Sequence, residues 1–232
     1  MILEVCIDSY EAALLAHRYG AKRVELCSGL SVGGLTPSIA LTKKCAAIEG
    51  IEVHAMLRHR EGDFVYTPLE MKLLLEDLIK LSEAQVKGVV FGALPPGNEI
   101  DMEQNKALVQ AAKLLDLEVT FHRAFDFVEN PKKGLETLID LGFDRLLTSG
   151  KQATAIEGLD LIQELVNWSA ERIQIMAGSG VNASNALDLA TVRVAALHFT
   201  SHRLDPKTTA LGMGSKSSPD DSKIAAISSL FK

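Results

Sequence analysis

Short runs of apolar, β-branched residues recur at regular intervals, separated by amphipathic stretches. They read "ILEVCI" (2–7), "RVELC" (23–27), "IEVHAML" (51–57), "GVVFGA" (88–93), "LEVTFH" (117–122), "DRLLTS" (144–149), "RIQIMAG" (172–178) and "VAALHFT" (194–200). Runs of this length suit buried strands, and regular alternation with helices predicts parallel βαβ units. Eight units share 232 residues, lean for a closed (β/α)8 TIM barrel, which typically takes roughly 250. A single α/β barrel domain over 1–232 is the preferred fold, with an open doubly wound sheet as the alternative.

Helix punctuation agrees. Thr36-Pro37, Thr67-Pro68, Asn130-Pro131 and Ser218-Pro219 each set a capping residue before a proline at the first helical position. Glu70, three after Thr67, completes a capping box. Gly20, Gly50 and Gly142 stand where helices should stop.

Side chains alternate along a strand, and in a barrel the outward face must be apolar to meet the helices. That sends Leu3, Val5, Ile7, Val24, Leu26, Val53, Ala55, Leu57, Val119 and Phe121 outward. Glu4, Cys6, Asp8, Arg23, Glu25, Cys27, His54, Met56, Arg58, Thr120 and His122 then face inward. Gln174, Met176, Gly178, His198 and Thr200 follow on the last two strands. Barrel interiors normally hold branched apolar residues, and buried charge must be paired to be tolerated. So many polar inward positions point either to a site at the C-terminal mouth or to a paired structural plug.

Several stretches fit an anion site. "MAGSGVNASN" (176–185) is a glycine-rich turn, with Gly178, Ser179 and Gly180 exposing backbone N–H groups and Asn182 or Ser184 as helix cap. Ser149 and Gly150, after strand 6, would lie next door. Arg58 is in register with the interior, whereas His59 and Glu61 are read as surface residues. "VTFHRAFD" (119–126) ends a strand with His122, Arg123 and Asp126. The glycine-rich loop 27–38 is read as a plain turn in preference to a lid.

Cys6 and Cys27 fall at similar heights on adjacent strands, roughly 4.8 Å apart, so their sulfurs are placed to share one soft ion such as Cu(I). Met56, Met176 or His198 would supply a third ligand. Buried free cysteines are, as a rule, small hydrophobes; Cys45, in a predicted helix, is read that way. No inward position carries lysine, which disfavours Schiff-base chemistry, and Lys151 is the nearest candidate.

A net charge of −6 argues against binding to nucleic acid or an anionic membrane surface. The first residues, "MILEVCIDSYE", have no basic region of a secretory leader. No apolar run approaches the roughly 20 residues of a membrane helix. Three widely spaced cysteines suggest no disulfide framework. A cytoplasmic, reduced setting is expected.

Taken in order, "LEVCIDS", "RVELCSGLSVGGLTPS", "GDFVYT", "GVVFGAL", "VTFHRAFD", "LLTSG" and "IMAGSGV" resemble the CutC family, known as copper homeostasis proteins, over about residues 1–182. The resemblance implies a TIM barrel, a cytoplasmic setting, a homodimer or higher oligomer, and a role in handling Cu(I), with the family's proposed copper ligands falling on Cys6 and Cys27. The chain departs from the family's pattern at His59 and Glu61, and after His198. A second function stays open: an enzyme acting on a small anionic, possibly phosphorylated, metabolite. There Glu25 or His122 would be acid or base, Asp126 would orient a partner, and Arg58, Arg123, Ser149, Gly150, Gly178, Ser179 and Gly180 would hold the anion.

Overall fold

A computed structural model describes residues 1–204 and 217–231. Eight parallel strands close into a barrel in sequence order, β1 (Ile2–Ile7), β2 (Arg23–Leu26), β3 (Glu52–Met56), β4 (Gly88–Phe91), β5 (Glu118–Phe121), β6 (Arg145–Thr148), β7 (Gln174–Gly178) and β8 (Ala196–Thr200). Helices α1 (Tyr10–Arg18), α2 (Ile39–Ala46), α3 (Pro68–Glu83), α4 (Met102–Leu114), α5 (Pro131–Leu141), α6 (Leu159–Ser169) and α7 (Ala186–Thr191) alternate with them. A hairpin, β9 (His202–Leu204) with β10 (Ser217–Pro219), and α8 (Asp221–Ser228) follow. This is the TIM barrel expected from the sequence, and the open sheet is set aside.

Strand alternation builds the main core. Val5, Ile7, Val24, Leu26, Val53, Ala55, Val119 and Phe121 all pack outward into one cluster with the buried helix faces. Two smaller apolar clusters fill the barrel itself: Cys6, Cys27, Met56 and Val90 on one side, Leu147, Met176 and Ala196 on the other. The strand starts close the N-terminal end with charge. Arg145, fully enclosed, pairs with Glu118 and approaches His54 Nδ1 at 3.5 Å, while Arg23 Nε reaches Glu52 at 3.3 Å. Gln174 and Thr200, expected inside, are exposed; both are terminal strand residues, where the barrel wall no longer encloses a side chain.

The punctuation is correct at three helices and displaced at three. Thr67 and Glu70 form the capping box, Asn130 caps α5, and Gly142 ends it in the left-handed region. Thr36 does not cap α2. Ser38 does, and Thr36 Oγ1 accepts from the Arg58 N–H at 3.0 Å, tying the loop after β2 to β3. Asp220, not Ser218, caps α8, because Ser218 and Pro219 are spent in the hairpin. Neither Asn182 nor Ser184 caps α7; Asn182 Oδ1 instead accepts from the Ser184 N–H and closes the preceding turn. Gly20 follows the end of α1 as expected, whereas Gly50 lies beyond the end of α2.

One close approach fixes the loop after β6. A Cβ built on Gly150 would stand 2.2 Å from the Gly158 carbonyl oxygen, and its φ is +66°. Gly150→Ala is therefore expected to destabilise the barrel by roughly 2 kcal/mol or more, as a backbone clash in a left-handed position. Thr67→Ala should cost about 1 kcal/mol, the value of a helix cap. Urea midpoints compare the two; equal losses would contradict the packing described.

Candidate functional site

Parallel register brings the inward side chains of β8, β1 and β2 to one height. Glu4 is paired with His198 on one side and Arg23 on the other, and Cys6 is paired with Glu25. Glu4 Oε1 accepts from His198 Nδ1 at 2.9 Å, and its Oε2 lies 3.4 Å from Arg23 Nη1. His198 Nε2 then faces Glu25 Oε2 at 3.6 Å. The same oxygen accepts from Cys6 Sγ at 3.3 Å and Cys27 Sγ at 3.6 Å. Glu25 Oε1 is buried without a partner.

Burial and charge pull the protons of this cluster apart. Burial opposes the Glu4 carboxylate, but the hydrogen bond and charge of His198, with His54 and Arg23 behind it, hold Glu4 at about 2. Burial dominates at Glu25 and pushes its carboxyl well above the usual range, with Cys6 and Glu4 adding repulsion against the opposing pull of His198. His198 is raised despite burial, by Glu25 and by hydrogen bonds to Cys6 and Glu4. Cys6 is lowered, first by its hydrogen bond with Cys27 and then by His198, whereas Cys27 is raised by that same bond and by burial. The acidic groups Glu4, Glu25 and Cys6 thus face the cationic His198 and Arg23, and that pairing is what lets charge be buried here.

Above this floor opens a cavity of about 470 Å3 at the C-terminal ends of the strands, where the chemistry of this fold resides. Cys6, Glu25 and His198 form its floor; Arg58, His122, Arg123, Ser179 and Gly180 contribute to its walls. Leu30, Val32, Phe64, Phe127, Leu147 and Val181 give it an apolar lining. Leu30, Val32 and Gly33 come from the loop expected to be only a turn. Cys27 is fully buried, outside the cavity lining.

His122, at the end of β5, is kept neutral by burial and by the charge of Arg58, which lower it to about 3. Its Nδ1 accepts from the Ala124 N–H at 3.2 Å, which assigns the proton to Nε2, and Nε2 has no partner. Arg58 points inward as expected, yet its guanidinium is engaged. Nη1 donates to the Val32 and Gly34 carbonyls at 2.9 and 3.1 Å, and Nη2 to that of Gly62 at 2.9 Å. It clasps two loops together and lies over the Phe64 ring.

Asp126 sits behind the wall. Its carboxylate accepts from Thr148 Oγ1 at 2.5 Å, the N–H groups of Ser149 and Lys151, and Arg123 Nε at 2.9 Å. Ser149 Oγ accepts from Arg123 Nη2 at 2.9 Å. Asp126, Ser149 and Gly150 thus lie outside the cavity lining, as does Gly178, while Arg123 is held so that its remaining amino group is uncommitted. Lys151 Nζ is engaged by the carbonyls of Val128 and Glu129. His59 is half-buried against Glu70 rather than a plain surface residue, and Glu61 is exposed. Arg145 went unremarked in the sequence, although the parity that places Thr120 inside makes it the inward residue at the start of β6.

The fold and site define a TIM barrel with a thiol- and carboxylate-bearing floor beneath an open-mouthed cavity. Residues 1–203 match the CutC family, and the chain belongs to it. It is 43% identical over 229 residues to the family protein CutC of Pasteurella multocida (strain Pm70), covering 97% of this chain and 93% of that one. It is 43% identical over 216 residues to the family protein CutC of Vibrio vulnificus (strain YJ016), covering 92% and 86%. The crystal structure of a Streptococcus agalactiae protein provisionally named as the copper homeostasis protein CutC superposes with a TM-score of 0.81 at 34% identity, covering 86% of this chain and 98% of that one. Thiamine phosphate pyrophosphorylase from Pyrococcus furiosus, at 13% identity and a TM-score of 0.63 over 99% of this chain and 94% of its own, shares the fold. Among the described residues no helix is long and apolar enough to cross a membrane.

Arg58→Met is expected to destabilise the protein by roughly 2 to 4 kcal/mol, since charged hydrogen bonds to three carbonyls are lost. Chemical denaturation measures it. A loss below about 0.5 kcal/mol, the level of an ordinary surface substitution, would show that Arg58 is free of its loops and available to a ligand.

Proposed function

We propose that this chain handles Cu(I) as cargo, binding it through Cys6 and Cys27. The observation that carries this reading is that both sulfurs and a Glu25 oxygen lie within 4.8 Å of one another, all buried. Two thiol sulfurs are the donor type that selects Cu(I) over harder ions. Cys6 opens to the cavity and gives the ion its route in; Cys27, fully buried under the loop at Gly34, completes the pair. The lowered Cys6 offers a thiolate, and metal binding would displace the proton retained by Cys27. The copper in the name of the Streptococcus agalactiae protein agrees with this reading, and the expected setting is the reducing cytoplasm.

A second reading has its own observation. A cavity of about 470 Å3 is far larger than an ion requires and falls within the range of small-molecule sites. Under it the chain is an enzyme on a small anionic molecule. Glu25, raised by burial and beside His198, would donate the proton in its acid form or receive it as the carboxylate, and Glu4 would hold His198 in place. Arg123, His122, Ser179 and Gly180 would bind the molecule, while Arg58 and Asp126 position the loops around it. Asp126, Ser149 and Gly150 then act through Arg123 rather than on the ligand.

Competition with a Cu(I) chelator under anaerobic conditions separates the readings. One Cu(I) per chain is expected, with affinity lost in Cys6→Ser and in Cys27→Ser by at least the roughly 10- to 100-fold that loss of a mere outer-shell partner costs. Affinity should rise with pH as the thiol proton is surrendered. A wild-type affinity equal to that of the double serine variant would remove copper from the account.

A further inference from the structure

We infer that the β5 wall of the cavity is a carboxylate subsite for a small organic molecule with an apolar body, formed by His122 and Arg123. Consecutive residues supply the two donors. His122 is almost completely enclosed and lines the cavity, its Nε2–H lacks any acceptor, and its other ring nitrogen is spent on the Ala124 N–H. The Nδ1–Cε1 edge packs against Gly92, where an added Cβ would stand 2.9 Å from both atoms, so only glycine leaves the ring its place. A buried donor left unmatched is costly, and a ligand oxygen would relieve it.

Arg123 is prepared in the same manner. Asp126 holds its Nε and Ser149 Oγ holds its Nη2, both at 2.9 Å, which leaves Nη1 to the ligand with the side chain already fixed. Two donors carrying one positive charge match a carboxylate. A phosphate dianion would bring a second negative charge beside the acidic floor, whose cation, His198, already faces Glu4 and Glu25. Arg58 has its amino groups committed to carbonyls, and α7, six residues long, follows a turn in which Asn182 and Asn185 side chains engage the Gly180 carbonyl. Phe64, Phe127, Leu147 and Val181 make the remainder apolar, so the rest of the ligand should be aliphatic or otherwise uncharged.

This subsite rests on the cavity being a small-molecule site and is independent of copper. Its test uses the full chain, metal-free, with hexanoate, its uncharged partner hexanamide, and inorganic phosphate as probes in ligand-observed NMR and calorimetry. Hexanoate should bind roughly tenfold more tightly than hexanamide, the value of one charge-assisted hydrogen bond pair. Arg123→Leu should abolish that preference. In the unmodified protein, hexanoate and not hexanamide should shift the His122 Nε2 resonance, a measurement that does not depend on the variant folding. Equal binding of the two probes, no binding of either, an unmoved Nε2 signal, or phosphate binding as well as hexanoate would each overturn the subsite. Loss of the Cu(I) site in the cysteine variants would leave it standing.

Discussion

The Glu4–His198 hydrogen bond is the interaction on which the inner architecture depends. It joins the first and last strands of the barrel at one register level, with both side chains buried. A carboxylate in such a place is tolerated only with a charged partner, and His198 is the nearer of its two, with Arg23 behind it. Once protonated, His198 also faces Glu25, which fixes the acid beside the two cysteines. Barrel closure and the chemistry of the floor are therefore one event: strands β1 and β8 cannot separate without unpairing the charges that organise the thiols.

Around that centre, the charged side chains divide into those that hold the chain and those that face the cavity. Arg58, Asp126 and Lys151 spend their polar atoms largely on backbone groups of loops. Arg145 and Arg23 close the bottom with Glu118 and Glu52. The residues lining the cavity are left with a few uncommitted atoms: Glu25 Oε1, His122 Nε2, Arg58 Nε and one amino group of Arg123. An apolar lining around few polar groups is the pattern of small-molecule sites, and the two sulfurs, Cys6 in the lining and Cys27 buried next to it, add a soft site.

The barrel was legible because its signal repeats. Outward apolar positions on strand after strand agree with one another, and parity alone placed Glu4, Cys6, Glu25, Cys27, His54 and His122 inside. Ends of elements were harder to read. Thr36 and Ser218 look like helix caps locally, but a bond to Arg58 and a hairpin claim them. Which inward side chains remain free was not legible at all. Asp126 and Ser149 carry the right chemistry for a site, yet each is consumed by partners within its own loop cluster, and only coordinates reveal that. Arg145 shows the converse: its parity was readable, but it stands first in its strand, where charge usually meets solvent.

The central claim is a buried, charged His198 held by Glu4 under the cavity. Nitrogen NMR of the imidazole at pH 7 tests it most directly. Both ring nitrogens should carry protons, since the Glu4 and Glu25 side raises His198 well above its ordinary value of about 6.5. The sign follows: a raised group stabilises the fold fully below that ordinary value, and its contribution is lost only as pH rises through the higher, folded-state value. In Glu4→Gln the same nitrogens should lose a proton at lower pH than in the parent protein. A His198 that is neutral at pH 7, or one whose titration is unmoved by Glu4→Gln, would contradict the account.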